Sequence, residues 1–279
     1  MAEQQRFNVR VAGSDIAVSS IGPYCQQNTQ EAKTLILIHG LGGSQESWQM
    51  ILPQLVQRHR VVRFDLPAHG SSSCALESGD LFALTTLVSD LIDVLGLSCV
   101  HILGHSLGGA IALRLLAMYP QKVRSLCLLA PVGLGSRVTM VFVSGLSEVT
   151  SAEAMQVLMA MATYVPLVGI RAAQVLVRRL EKPGVRETLR KIVHACFTPT
   201  GEVENLRSIF EQAQVPIHLI WGKEDHIVPY NHSFFIQQKR KELLPYVLLP
   251  GTGHLPHLEQ SQHVAQNIEE FLIKCCETN

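Results

Sequence analysis

The chain has 279 residues, 47% of them hydrophobic and 16% charged, enough apolar mass for one large core and too much for a disordered, collagen-like or coiled-coil chain. Its 23 basic and 23 acidic residues give a formal charge of zero, which excludes the strong field expected of a nucleic-acid binder and gives no pull toward an anionic membrane. The cysteines at Cys25, Cys74, Cys99, Cys127, Cys196, Cys275 and Cys276 are odd in number and without paired spacing, and no apolar leader core follows Met1, so a reducing, cytoplasmic location is expected.

Phe7 to Ala12 and Ile16 to Ile21 read as the strands of a hairpin around Gly13-Ser14-Asp15. Thr34 to Ile38 lacks period-2 alternation, the pattern of a strand buried on both faces. Val61 to Phe64, Val100 to Leu103, Val123 to Leu129, Ile217 to Trp221 and Val247 to Leu249 read the same way. Helical stretches lie near Trp48 to Gln57, Leu81 to Leu95, Gly109 to Tyr119, Ser233 to Leu244 and Gln262 to Lys274. The alternation predicts an α/β fold, a mostly parallel sheet with helices on both faces.

It fails once. From about Val132 to Gln214, Met-rich and Arg-rich helical stretches follow one another without a buried strand, so residues 132–214 are expected to form a helical cap inserted into a core of 1–131 and 215–279. Such a cap belongs over the carboxyl ends of the strands, where sites in open α/β sheets gather. Within it, Ala154 to Ile170 carries no charge, but Pro166 and Gly169 interrupt the run, so it is expected to be a buried or groove-lining helix rather than a membrane span.

The sharpest chemical signal is Gly104-His105-Ser106-Leu107-Gly108. G-x-S-x-G alone is weak, but here it follows a strand and opens a helix, the context of a nucleophile elbow. A sharp turn pushes the serine hydroxyl clear of the sheet, the glycines leave room where side chains would collide, and the helix start supplies N–H groups for developing negative charge. A serine needs a base and an orienting carboxylate, in the chain order Ser, acid, His. His254 follows the last strand-like run through Pro250-Gly251-Thr252-Gly253, and Asp225 follows Ile217 to Trp221.

With His39-Gly40-Leu41-Gly42-Gly43, Asp65-Leu66-Pro67-Ala68-His69-Gly70-Ser71, the elbow, Gly222 to Pro229 and Gly253 to Glu259 in this order, the chain resembles the α/β-hydrolase fold superfamily over almost its whole length. The resemblance implies Ser106 as nucleophile, His254 as general base, Asp225 rather than Glu224 as its orienting acid, and the backbone N–H groups of Leu41 and Leu107 as an oxyanion hole. Ala68 departs from the family, which often has glycine there. Within the superfamily, Phe64 to Pro67, Leu129 to Gly135 and Phe197 to Gly201 are most like the hydrolase-like part of the acyltransferase subunit of acetoin dehydrogenase. Only about thirty residues precede the Leu35 strand, so a lipoyl domain and that complex's acyl transfer are not expected.

Among the other histidines, His39 and His105 are expected to support their turns, and His257 to line the rim. His254-x-x-His257 lacks the further ligands of a zinc site, and Gln45 stands where a dinucleotide loop needs its third glycine, so neither metal nor cofactor is expected. Met155, Met159 and Tyr164 are the candidate substrate-pocket residues. Arg171, Arg178, Arg179 and Lys182 read as a solvated face.

The expected function is a serine hydrolase acting on small-molecule carboxylic esters with an apolar acyl or alcohol part. A carbon–carbon bond hydrolase acting on diketones and a small-molecule receptor with a slow vestigial site are the alternatives.

Overall fold

The computed structural model describes residues 4–22, 34–201, 203–234 and 246–277. Its strands are β1 (Gln4–Val11), β2 (Ser14–Ile21), β3 (Thr34–Ile38), β4 (Arg60–Phe64), β5 (Val100–His105), β6 (Val123–Leu129), β7 (Ile217–Gly222) and β8 (Tyr246–Leu249). They form an eight-stranded sheet in the order β1-β2-β4-β3-β5-β6-β7-β8. β1 and β2 are antiparallel, β2 joins β4 antiparallel, and the strands from β4 to β8 along the sheet run parallel.

The hairpin turn is shorter than its sequence suggests. Val11 pairs with Ser14, leaving Ala12 and Gly13 with φ of +46° and +82°. Two left-handed residues match the twist of a two-residue hairpin, so Ser14 and Asp15 belong to the strand.

β3 is buried along its whole length, and its side chains divide between two helical layers. Leu35 and Leu37, with Leu103, Leu129 and Ile220, pack beneath α1 (Leu52–Leu55) and the long helix Ser261–Glu277. Ile36 and Ile38, with Ile102, Leu128 and Leu219, pack on the other face beneath α2 (Leu81–Val94) and α3 (Leu107–Met118). With both faces covered, the strands are mainly apolar, and Arg63, His101, Ser125 and His218 within them are buried as well. β8 differs from the expectation: at the sheet edge, Tyr246, Val247 and Leu248 are only half-buried.

The predicted helix from Trp48 to Gln57 breaks into a 3-10 turn, Gln45–Trp48, and α1, because Pro53 has no N–H with which to continue the turn before it. Between β6 and β7 lie α4 (Met140–Glu148), α5 (Ala152–Ala160), α6 (Ile170–Leu180), α7 (Val185–Cys196) and α8 (Arg207–Gln212). The uncharged run from Ala154 to Ile170 is not one buried helix: α5 ends at Ala160, and Tyr164, Val165, Leu167 and Ile170 are exposed. Among the described residues, no helix is long and apolar enough to cross a membrane. Cys25 and most of the predicted helix from Ser233 to Leu244 lie outside the described residues.

The sheet order also sets the site. From β3 the chain moves to one side to make β4, then crosses back to make β5 on the other side of β3. Loops leaving β3 and β5 therefore part in opposite directions and open a crevice beyond their carboxyl ends, the general ligand position in open α/β sheets.

Candidate active site

Ser106 stands at that crevice, between the end of β5 and the start of α3, with φ +53° and ψ −116°. A non-glycine residue held there costs about 1–3 kcal/mol, which the surroundings must offset. Ser106 N–H donates to Leu129 O at 3.0 Å, and Val132 N–H donates to Ser106 O at 3.1 Å, so the end of β6 grips both sides of the turn. The elbow glycines are spatial necessities. A β-carbon at Gly104 would lie 2.5 Å from Gly108 O, and one at Gly108 would lie 2.1 Å from Ile38 O.

Loops after β7 and β8 bring the other two residues to the serine. His254 Nε2 lies 3.0 Å from Ser106 Oγ, and His254 Nδ1 lies 2.8 Å from Asp225 Oδ2. Asp225 Oδ1 accepts from the N–H groups of Ile227 and Val228, both at 2.9 Å, leaving Oδ2 aimed at the imidazole. Glu224 turns the other way and accepts from Thr252 N–H at 3.1 Å, bracing the loop that precedes His254. All three residues are buried. With Nδ1–H donating to the carboxylate, Nε2 is free to accept the serine proton.

The His254 loop is tied to the segment between α5 and α6. His254 N–H donates to Ala162 O at 2.7 Å, and the Glu259 carboxylate accepts from Gly253, Leu255 and Tyr164 N–H groups at 2.6 to 3.2 Å. Gly253 has no room for a side chain because a β-carbon would meet Ala162 O at 2.7 Å.

Leu107 opens α3 directly after Ser106, and Leu41 lies on the loop after β3. That loop comes close: a β-carbon at Gly40 would meet Ser106 Cβ at 3.0 Å. Among the described residues, neither the Leu41 nor the Leu107 N–H has an acceptor. Two histidines hold the loop. His39 Nδ1–H donates to Gly40 O at 2.8 Å while Nε2 accepts from Leu66 N–H at 3.0 Å. His69 Nδ1–H donates to Pro67 O at 2.9 Å while Nε2 accepts from Gly42 N–H at 2.9 Å.

These bonds require neutral imidazoles, and burial agrees. Desolvation is the main cause holding His39 down at about 4 and His257 at about 3, and it also lowers His69 and His105. In the unfolded chain each would titrate near its ordinary value of 6.5. As pH falls below that value the unfolded state binds protons that the folded state refuses, so stability is full above it and drains toward the folded values. Between pH 6.5 and 5 each of His39 and His257 removes on the order of 2 kcal/mol. Thermal melts at constant ionic strength should show the midpoint falling by several degrees over that interval, and a flat profile would contradict the assignment.

A cavity of about 480 Å³ opens above Ser106 and His254. Leu41 and Met159 line it, together with Val132, Phe142, Val143, Leu146, Leu176 and Phe197. Two of the expected pocket residues do not. Met155 is buried beneath the cavity wall beside Leu180 and Leu189, and Tyr164 is largely exposed near Gly251. Periodicity placed the methionines on one helix face, but that face is shared between core and cavity. The α4 residues were missed, although Phe142, Val143 and Leu146 carry a helical 3–4 spacing directly after β6. Arg179 also departs from the expected solvated face: it lines the cavity and donates from Nη2 to Gly43 O at 2.8 Å.

The family model described as the alpha/beta hydrolase family matches residues 35–266. The acetyltransferase component of the acetoin cleaving system of Pseudomonas putida is 33% identical over 243 residues, 86% of this chain but 63% of its own length, so the chain spans less than two thirds of that relative. Lipase 1 of Psychrobacter immobilis is 25% identical over 280 residues, 96% of this chain and 86% of its own length. Among solved structures, the meta-cleavage product hydrolase of Pseudomonas fluorescens IP01 superposes with a TM-score of 0.84 at 20% identity, covering 96% of this chain and 97% of the other.

Proposed function

The chain belongs to the alpha/beta hydrolase family, and from that premise we propose that it is a serine hydrolase cleaving small-molecule carboxylic esters with an apolar acyl or alcohol part. One observation carries the reading: a single imidazole touches both Ser106 Oγ and Asp225 Oδ2, at 3.0 and 2.8 Å, on the floor of a mainly apolar cavity. The relative named as a lipase supports ester cleavage.

In this reading His254 Nε2 takes the Ser106 proton as Oγ attacks the ester carbonyl carbon. The carbonyl oxygen becomes an oxyanion and accepts from the Leu41 and Leu107 N–H groups, whose alignment contributes on the order of 100- to 1000-fold per donor. The imidazolium gives its proton to the departing alkoxide, leaving an acyl-enzyme. Water then loses a proton to Nε2 and attacks the acyl carbon, and the collapse returns the proton to Ser106 and frees the acid. Asp225 holds the imidazole tautomer and stabilises its charged form. Residues 132–214 serve as the cap that sets substrate choice, since α4, α5 and α6 supply much of the cavity wall.

The test is a panel of esters of graded acyl length run beside diketones, with His254→Ala as control. Repeated turnover of esters, lost in the control, supports the reading. Cleavage of diketones alone assigns the carbon–carbon reaction instead, and a single slow turnover with a ligand-induced rise in melting temperature assigns a receptor.

A further inference from the structure

Arg179 is out of place in this cavity. Its neighbours on α6 and beyond, Arg171, Arg178 and Lys182, reach solvent, whereas Arg179 turns inward among Leu146, Val175 and Leu176. Among the described residues its one hydrogen bond goes to Gly43 O, a neutral acceptor, which leaves most of a five-donor guanidinium unused. Among the described residues no carboxylate lies within ion-pair reach of it.

The acid on the cavity wall and the acid whose field reaches Arg179 are both occupied elsewhere. Glu46, also on the cavity wall, turns to Arg6 at 3.3 Å and Arg63 at 3.5 Å. Asp65 accepts from the Gln45 N–H and side-chain amide and from Ser71 N–H, at 2.7 to 3.1 Å. Burial disfavours the charged guanidinium, and only the more distant field of Asp65 works against that. Arg179 is half-buried, and a cation partly withdrawn from water without a counter-ion is unfavourable. Here a missing partner has a place to sit, because Arg179 lines the same cavity as Ser106.

We propose that Arg179 binds an acidic group of the substrate, so that the natural ester carries a carboxylate on its apolar acyl or alcohol arm. The proposal rests on the ester-hydrolase reading and narrows it. Arginine suits the task because its planar fork meets both oxygens of a carboxylate. The bond to Gly43 O keeps the guanidinium beside the loop that carries Leu41, so the acidic group lies on the oxyanion side of the cavity. The rest of the wall is mainly apolar and favours a hydrocarbon spacer between that group and the scissile carbonyl.

The test compares nitrophenyl esters of dicarboxylic acids, one carboxyl left free, with the same esters capped as neutral methyl esters, across a series of spacer lengths. The wild-type protein should prefer the free acid at its best length by roughly 10- to 100-fold in kcat/KM, mostly through KM. Arg179→Met should abolish that preference, lowering kcat/KM on the free acid by at least about ten-fold more than on the capped ester. Equal loss on both substrates would reduce Arg179 to a tie between α6 and the Gly43 loop, and an unchanged preference would place the acid elsewhere. A second arm needs no catalysis: hexanoate, but not hexanamide, should raise the melting midpoint of the wild-type protein and not of Arg179→Met. If no ester is turned over, the hydrolase reading fails while this arm still decides the anion site; if hexanoate shifts neither protein, the anion site is overturned.

Discussion

Replacing Ser106 by alanine should lower kcat for any ester the protein hydrolyses on the order of 10⁶-fold, the scale seen when a serine nucleophile is removed from a triad acting as a unit. The same change should leave the fold alone. Alanine keeps the β-carbon and meets the same backbone demand at φ +53°, and among the described residues the Ser106 hydroxyl has a single partner, His254 Nε2 at 3.0 Å. Three measurements separate chemistry from folding: ester turnover, labelling by a fluorophosphonate probe, and a thermal melt. Wild-type protein labels at Ser106; the variant neither labels nor turns over, yet melts within about one degree of wild type. Turnover above a tenth of wild type would mean that another group attacks the carbonyl.

The second large effect is on stability. Gly108→Ala should destabilise the protein by about 3–5 kcal/mol, at the upper end of single substitutions. The new β-carbon would sit 2.1 Å from Ile38 O and 2.7 Å from His39 O, both backbone atoms at the end of β3. No rotamer relieves a backbone clash, so α3 must move away from β3 or the loop through His39 and Gly40 must shift. Either movement spoils the loop proposed to hold the oxyanion, and esterase activity should fall with stability. Urea unfolding checks the magnitude. A variant within 1 kcal/mol of wild type would show that the elbow has slack the structure does not display.

Much of this was written locally in the chain. The strands buried on both faces appear as largely apolar runs because helices cover both sides of the sheet, although His101 interrupts β5 and His218 interrupts β7. Ser106, Asp225 and His254 were legible because each follows such a run, and the turn after a parallel strand opens on the same edge. Boundaries were less legible. Whether Ala12 or Ser14 belongs to the hairpin turn depends on Ala12 accepting a left-handed φ, which composition does not record. Pro53 cut a periodic segment in two, and β8 reads as a core strand although it has a neighbour on one side only.

The cavity wall was the least legible part. A helical period says which residues share a face, not whether that face meets core or empty space. Met155 and Met159 are one turn apart on α5, yet one is packed beneath the wall and the other lines it. Arg179 was hidden for the same reason: adjacent Arg178 is exposed, and the inward turn follows from how α6 lies across the Gly43 loop.

The peptide from Ala162 to Tyr164 gives the molecule an interlock. It leads from α5 toward α6, two helices of the cavity roof, and it also supplies the acceptor for the His254 N–H and a donor to the carboxylate that braces the same loop. Lifting the roof by moving this peptide would slacken the imidazole that must collect the serine proton. In the proposed reaction, the covering of the chamber and the aim of the base are therefore coupled through one short stretch of backbone.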